Sequence, residues 1–203
     1  MAGAGGDLVI GTLMEAAKPA GWMSGPQLWF ANRGTGFVLL LLLTLSTVLG
    51  VLSTSRVSLR RWPRMLTQGL HRNVSLLAVT FLAAHVTTAV LDTFVDIRWY
   101  DAFVPFAGTY MPLWLGFGSL ALDMLIAVTA TSLLRHKMSH RPWRAIHVLA
   151  YGAWGLGLIH GLQMGTDAPS QWGAVLNDGC VAVVLVAVLA RVGLVIRPKL
   201  VTS

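Results

Sequence analysis

HRNVSLLAVTFLAAH, residues 71 to 85, sets a histidine at each end of an otherwise apolar stretch, and its reading decides the fold. The apolar character continues to Leu91, and a helix rising ~1.5 Å per residue needs about 20 such residues to cross a hydrocarbon core of roughly 30 Å. A second stretch, HVLAYGAWGLGLIH at 147 to 160, repeats the arrangement. Imidazole in hydrocarbon is costly unless it finds a hydrogen-bond partner, a water-lined cavity or a metal, so four such histidines ask for one shared explanation.

The surroundings support the membrane reading. Of the 203 residues 55% are hydrophobic and only 11% charged, and the mean hydropathy is +0.68, too apolar for an ordinary soluble domain. Five segments qualify as spans, at 35–53, 71–91, 112–134, 145–164 and 174–195. Between the first two lie Arg56, Arg60, Arg61 and Arg64, between the third and fourth Arg135, Lys137, Arg141 and Arg144, and after the fifth Arg197 and Lys199. The other side carries Lys18, Arg33 and Arg98, with Asp92, Asp96 and Asp101 in the connection DTFVDIRWYDAFVPFAGTYM. By the positive-inside rule the arginine-rich side is cytoplasmic, the N-terminus outside and the C-terminus inside. The net charge of +7 is thereby assigned to cytoplasmic loops, and no nucleic-acid partner is expected. Trp29, Trp62, Trp99, Trp114, Trp143 and Trp172 fall near the interfaces, as an aromatic belt would. The predicted fold is an all-α polytopic membrane bundle. Residues 1–30 form a short surface segment with a helix at 7–18, residues 31–197 the bundle, and residues 198–203 a cytoplasmic tail. The start of the chain has neither the basic head nor the small-residue cleavage site of a signal peptide.

Helices two and four run in the same direction, so their histidines pair in order: His71 with His147 at an inner level, His85 with His160 at an outer one. At ~1.5 Å per residue the levels are about 20 Å apart, room for two haem groups, each held by neutral imidazole on both axial faces. The fourteen steps from His71 to His85 come within about 40° of whole turns, so both face one side. The thirteen steps from His147 to His160 leave those side chains roughly 140° apart on an ideal helix, so the helix is locally distorted or approaches its two cofactors from different sides. Gly152, Gly155 and Gly157 lie between them, read either as the seat of such a distortion and of close macrocycle approach or as ordinary helix-interface glycines. Cys180 is the single cysteine, which excludes a disulfide framework or a cysteine-ligated iron–sulfur cluster within the chain. It is read as packing.

LHRNVSLLAVTFLAAH, TSLLRHKMSHRPWRAIH and LIHGLQMGTD together resemble the ferric reductase-like transmembrane domain family, over roughly residues 30 to 195. That family includes NADPH oxidases, iron reductases and the haem subunit of the bacterial methionine sulfoxide reductase system. The resemblance implies an inner b-type haem on His71 and His147 and an outer one on His85 and His160. It also implies electron transfer across a plasma membrane, a bacterial inner membrane by the relative named last. The chain ends at RPKLVTS, without the flavin and nicotinamide domains of the large relatives. The expected donor is therefore a separate cytoplasmic flavin/NAD(P)H reductase or a membrane quinone, and the expected acceptor ferric iron, dioxygen or an extracytoplasmic flavoprotein.

Arg33 at the outer mouth and Arg72 and Arg144 at the inner mouth are candidates to pair with haem propionates. Arg60 and Arg61 read as ordinary cytoplasmic belt, and His136 and His140 as solvated. Asp123, near the middle of the third span, is a candidate for proton handling or a neutral hydrogen-bonded acid. Trp154 falls between the two histidine levels, as bundle filler or as part of an electron path. Two rival functions fit the same chain, a histidine-lined permease for a metal ion or proton, and a membrane assembly subunit with no redox role.

Overall fold

The computed structural model describes residues 26–54 and 64–200, with side chains over 26–53 and 65–193. The expected surface helix at 7–18, Arg60, Arg61, Trp62 and the side chains of Arg197 and Lys199 lie outside the described residues. Everything described is helix, turn or loop. In chain order the helices are α1 (Pro26–Thr54), α2 (Arg64–Leu91), α3 (Trp99–Phe103), α4 (Pro112–Leu133), α5 (His140–His147), α6 (Leu149–Met164) and α7 (Gln171–Leu200), with a 3-10 turn at Arg135–Lys137. Five spans are long and apolar enough to cross a membrane: Pro26–Ser53, Met65–Leu91, Pro112–Leu133, His140–Met164 and Gln171–Gly193. The protein is a membrane-embedded helical bundle.

Local chemistry sets these boundaries. Pro26 opens α1 and Pro112 opens α4, at positions where a missing N–H costs nothing and a fixed φ favours the helix. Hydroxyls inside the spans bond to the preceding turn, as Thr35 does to the Ala31 carbonyl at 2.7 Å, Thr88 to Ala84 at 2.8 Å and Thr131 to Ala127 at 2.7 Å. A polar side chain in hydrocarbon is satisfied this way without leaving its helix. Long apolar side chains such as Leu41, Leu45, Leu76, Ile126, Val186 and Leu189 stay exposed, where lipid serves as their solvent. The buried contacts between helices combine small residues, among them Ala78, Ala121, Ala153 and Cys180, with Leu39, Val51, Leu122 and Leu158.

The packing forms two walls. α2 lies mainly against α1, and α6 against α4, while α1 also touches α6 and α7. The two histidine-bearing helices thus each lean on a backing helix, and a slot is left between them. Over the outer end, Ser119 on α4 donates to the backbone carbonyl of Asp101 on α3 at 2.6 Å, which ties the outer connection to the bundle. Phe106 in that connection has a φ of 66° and lies against Gly116, where a Cβ would meet its ring at 2.2 Å. Only glycine fits under it.

Two expectations need correction. α1 begins at Pro26, nine residues before the expected start of its span at 35. The fourth span is broken, but not at its glycines. α5 ends at His147, Val148 forms the junction and α6 starts at Leu149. Across the junction the Tyr151 N–H donates to the Val148 carbonyl at 3.1 Å, a three-residue step that tightens the turn. The distortion therefore sits immediately after the first histidine. Gly152, Gly155 and Gly157 belong to uninterrupted helix.

Candidate functional site

Each of the four histidines has its Nδ1 engaged by the backing helix. His71 Nδ1 lies 2.9 Å from the Ser46 carbonyl, His85 Nδ1 3.0 Å from the Asn32 carbonyl, and His160 Nδ1 2.9 Å from the Trp114 carbonyl. A carbonyl oxygen only accepts, so in these three rings Nδ1 carries the proton and Nε2 keeps the lone pair that a metal takes. His147 differs: its Nδ1 partner is the Ser132 hydroxyl at 3.4 Å, a group able to donate or accept.

A carbonyl inside a helix is screened by the side chain one turn later, and the sequence removes that screen. Gly36 follows Asn32 by four residues, Gly50 follows Ser46 and Gly118 follows Trp114. A Cβ at Gly118 would lie 2.6 Å from His160 Nδ1, one at Gly36 3.1 Å from His85 Cε1 and one at Gly50 3.4 Å from His71 Cε1. Gly36 and Gly50 are fourteen residues apart, the same interval as His71 and His85 on the antiparallel neighbour. Ser132 follows Gly118 by fourteen as well, and there the small side chain itself meets the fourth imidazole. Asn32 adds a second tie at the outer level, its amide donating to the His85 carbonyl at 2.9 Å. At the inner level Ser75 donates to the His71 carbonyl at 2.7 Å and contacts Ser46 at 2.7 Å.

The rings meet in the pairs expected. His71 and His147 have ring centres 6.1 Å apart, and His85 and His160 6.4 Å. With a metal–imidazole bond of about 2.0 Å, as for zinc, and a ring centre roughly 1.1 Å beyond the nitrogen, two imidazoles on opposite faces of one metal stand roughly 6.2 Å apart. Both pairs match this spacing. No group of three or more His, Cys, Asp or Glu side chains suited to a metal ion occurs among the described residues. Two imidazoles alone fit a metal whose remaining donors come with it, as in a macrocycle.

Around the outer pair the slot widens into a cavity of about 330 Å³ whose lining includes Leu39, Leu40, Leu82, Leu122, Ala153 and Trp154. Arg33, Asp92, Thr166, Asp167 and Asn177 supply polar groups to its wall. Arg33 forms an ion pair with Asp167 and lies 3.9 Å from the centre of the Trp29 ring. Arg33, expected to pair with a haem propionate, thus has a carboxylate beside it in the chain itself. Arg72 and Arg144 are exposed, with no ion pair among the described residues. Trp154, between the levels, donates its indole N–H to Thr44 at 2.9 Å and so links α6 to α1. Asp123 is half-buried on α4 and is not part of the cavity wall, and His136 and His140 are exposed. Cys180 is buried in packing, 4% exposed. In the outer connection the Asp96 carboxylate accepts from Arg98 at 3.0 Å and raises the guanidinium pKa above its ordinary value.

Residues 27–167 match the family described as Domain of unknown function (DUF8596), and the chain belongs to that family. No curated protein and no solved structure matches it.

Proposed function

We propose that this member of the DUF8596 family is a di-haem b-type cytochrome that conducts electrons one at a time across a membrane. In this reading His71 and His147 hold one haem and His85 and His160 the other. The observation that carries it is the joint geometry of the rings, two pairs at 6.1 and 6.4 Å with Nδ1 of three rings donating to backbone carbonyls. When bound, haem iron supplies reversible one-electron chemistry at a potential set by its axial ligands and their hydrogen bonds. The chain's own task is orientation and exclusion. Donation from Nδ1 fixes the tautomer and makes Nε2 the better donor, the glycines let the rings sit close to their backing helices, and the apolar wall of the cavity keeps water away.

The sidedness proposed is N-terminus outside and C-terminus in the cytoplasm, in the plasma membrane of a bacterium, because the arginine-rich connections gather at the inner level. The donor is then a cytoplasmic flavin/NAD(P)H reductase or a membrane quinone, and the acceptor ferric iron, dioxygen or an extracytoplasmic flavoprotein. The permease and assembly readings draw on no comparable arrangement, since Asp123 stands apart from the cavity. Absorption spectroscopy of the purified protein tests the proposal: a Soret band, dithionite-dependent visible bands and two haems per chain by pyridine haemochrome are expected. A colourless protein from haem-replete cells would overturn it.

A further inference from the structure

The inner level has one feature that the ligand geometry leaves unexplained. Trp143 lies one turn before His147 on α5, and the two rings are stacked, 4.8 Å between centres and 25° between planes. The Arg135 guanidinium lies 4.2 Å from the centre of the indole. Yet the indole Nε1 is buried and has no hydrogen-bond partner. A buried donor left unmade is expensive, and an indole N–H can do nothing but donate, so the position calls for an acceptor from outside the chain. Its charge is also indicated. From Leu133 to Tyr151 the sequence contains Arg135, Lys137, Arg141 and Arg144 and not one carboxylate, and the facing end of α2 is equally free of acid from Arg64 to Ser75.

We infer that Trp143 and Arg135 form an anion site beside His147 that receives a carboxylate of the inner cofactor. This rests on the di-haem reading above. In that role the indole N–H donates to a carboxylate oxygen, Arg135 supplies the compensating charge, and the stacked indole holds the imidazole whose own Nδ1 partner is only a hydroxyl at 3.4 Å. The site replaces Arg72 and Arg144 as the expected partners of the inner propionates. A lipid phosphate offers the same acceptor chemistry, and the test separates the two.

The experiment titrates full-length protein, prepared without haem, with haemin and with haemin dimethyl ester, whose carboxylates are blocked. It follows the Soret band of the binding step that His71→Ala abolishes. Trp143→Phe keeps the stack and removes the N–H, and should weaken haemin at that step by roughly 10- to 100-fold, the worth of a hydrogen bond to a charged group. The ester should bind both proteins equally. Arg135→Gln, at an exposed position, provides the same comparison should Trp143→Phe fold poorly. Unchanged haemin affinity in both variants would overturn the inference, as would an equal loss for haemin and ester, which would point to lipid or to packing. Absence of haem binding by the wild-type chain would instead remove the di-haem reading itself.

Discussion

Gly118 and His160 fit together without room for one methyl group: a Cβ on Gly118 would lie 2.6 Å from Nδ1 of the imidazole. The same contact is looser at Gly36 against His85, 3.1 Å, and looser again at Gly50 against His71, 3.4 Å. Overpacking of this kind costs about 1–3 kcal/mol, and the three alanine variants should therefore form a series. Gly118→Ala should lose most of the outer haem, Gly36→Ala a smaller share, and Gly50→Ala should keep nearly all of the inner one. Haem per chain by pyridine haemochrome measures the series, and equal occupancy in all three would break the link between glycine and ligand.

The pairing of α2 with α5 and α6 makes a sharper demand. His85→Ala or His160→Ala should remove the outer haem and spare the inner one, and His71→Ala or His147→Ala the reverse. In sealed vesicles with a donor on the cytoplasmic side, the first two variants should still take up an electron but fail to deliver it to an acceptor trapped across the membrane. Loss of a common haem in the His71 and His85 variants would mean that each haem is held within one helix.

Sidedness is open to direct labelling. Cysteines placed at Lys137 and Arg98, both exposed, should react with an impermeant thiol reagent from opposite sides of the membrane, Lys137 from the cytoplasm. Reaction of both from one side would overturn the orientation, and reaction of each from the other side would invert it.

Trp154 and Thr44 offer a measurable tie between the two walls. Hydrogen bonds between spans have coupling energies of about 0.6 kcal/mol on average and up to about 1.7. A double-mutant cycle of Trp154→Phe and Thr44→Val in a reversible unfolding assay should return a value in that range, with the double variant scarcely worse than either single one. Additive losses would mean that the 2.9 Å contact contributes nothing to stability.

Much of this was legible from residue types. The spans follow from apolar length, and the two levels from the order of four histidines on helices running the same way. Hydropathy starts α1 late because Gln27, Asn32 and Arg33 depress it, yet the last two find partners in His85 and Thr88, and in Asp167. In the sequence the glycines are the visible breakers near His147, whereas Val148, where the break sits, carries no such mark. Main-chain acceptors leave no signature in sequence either. Their glycines do: Gly36 and Gly50 repeat the fourteen-residue interval of the histidines they face, whereas Gly118 and Ser132, also fourteen apart, face histidines thirteen apart.

Three of the four imidazoles are oriented by main-chain oxygen, and main-chain oxygen belongs to every residue. Relatives of this chain can therefore drift at positions 46 and 114 with the orienting contact preserved, while position 118 is confined to the smallest side chain, position 36 less strictly and position 50 least. Position 132 is the exception, because there the contact is a hydroxyl that one substitution removes. The ring of His147 is accordingly the point at which evolution, or an engineer, can retune this protein with a single codon.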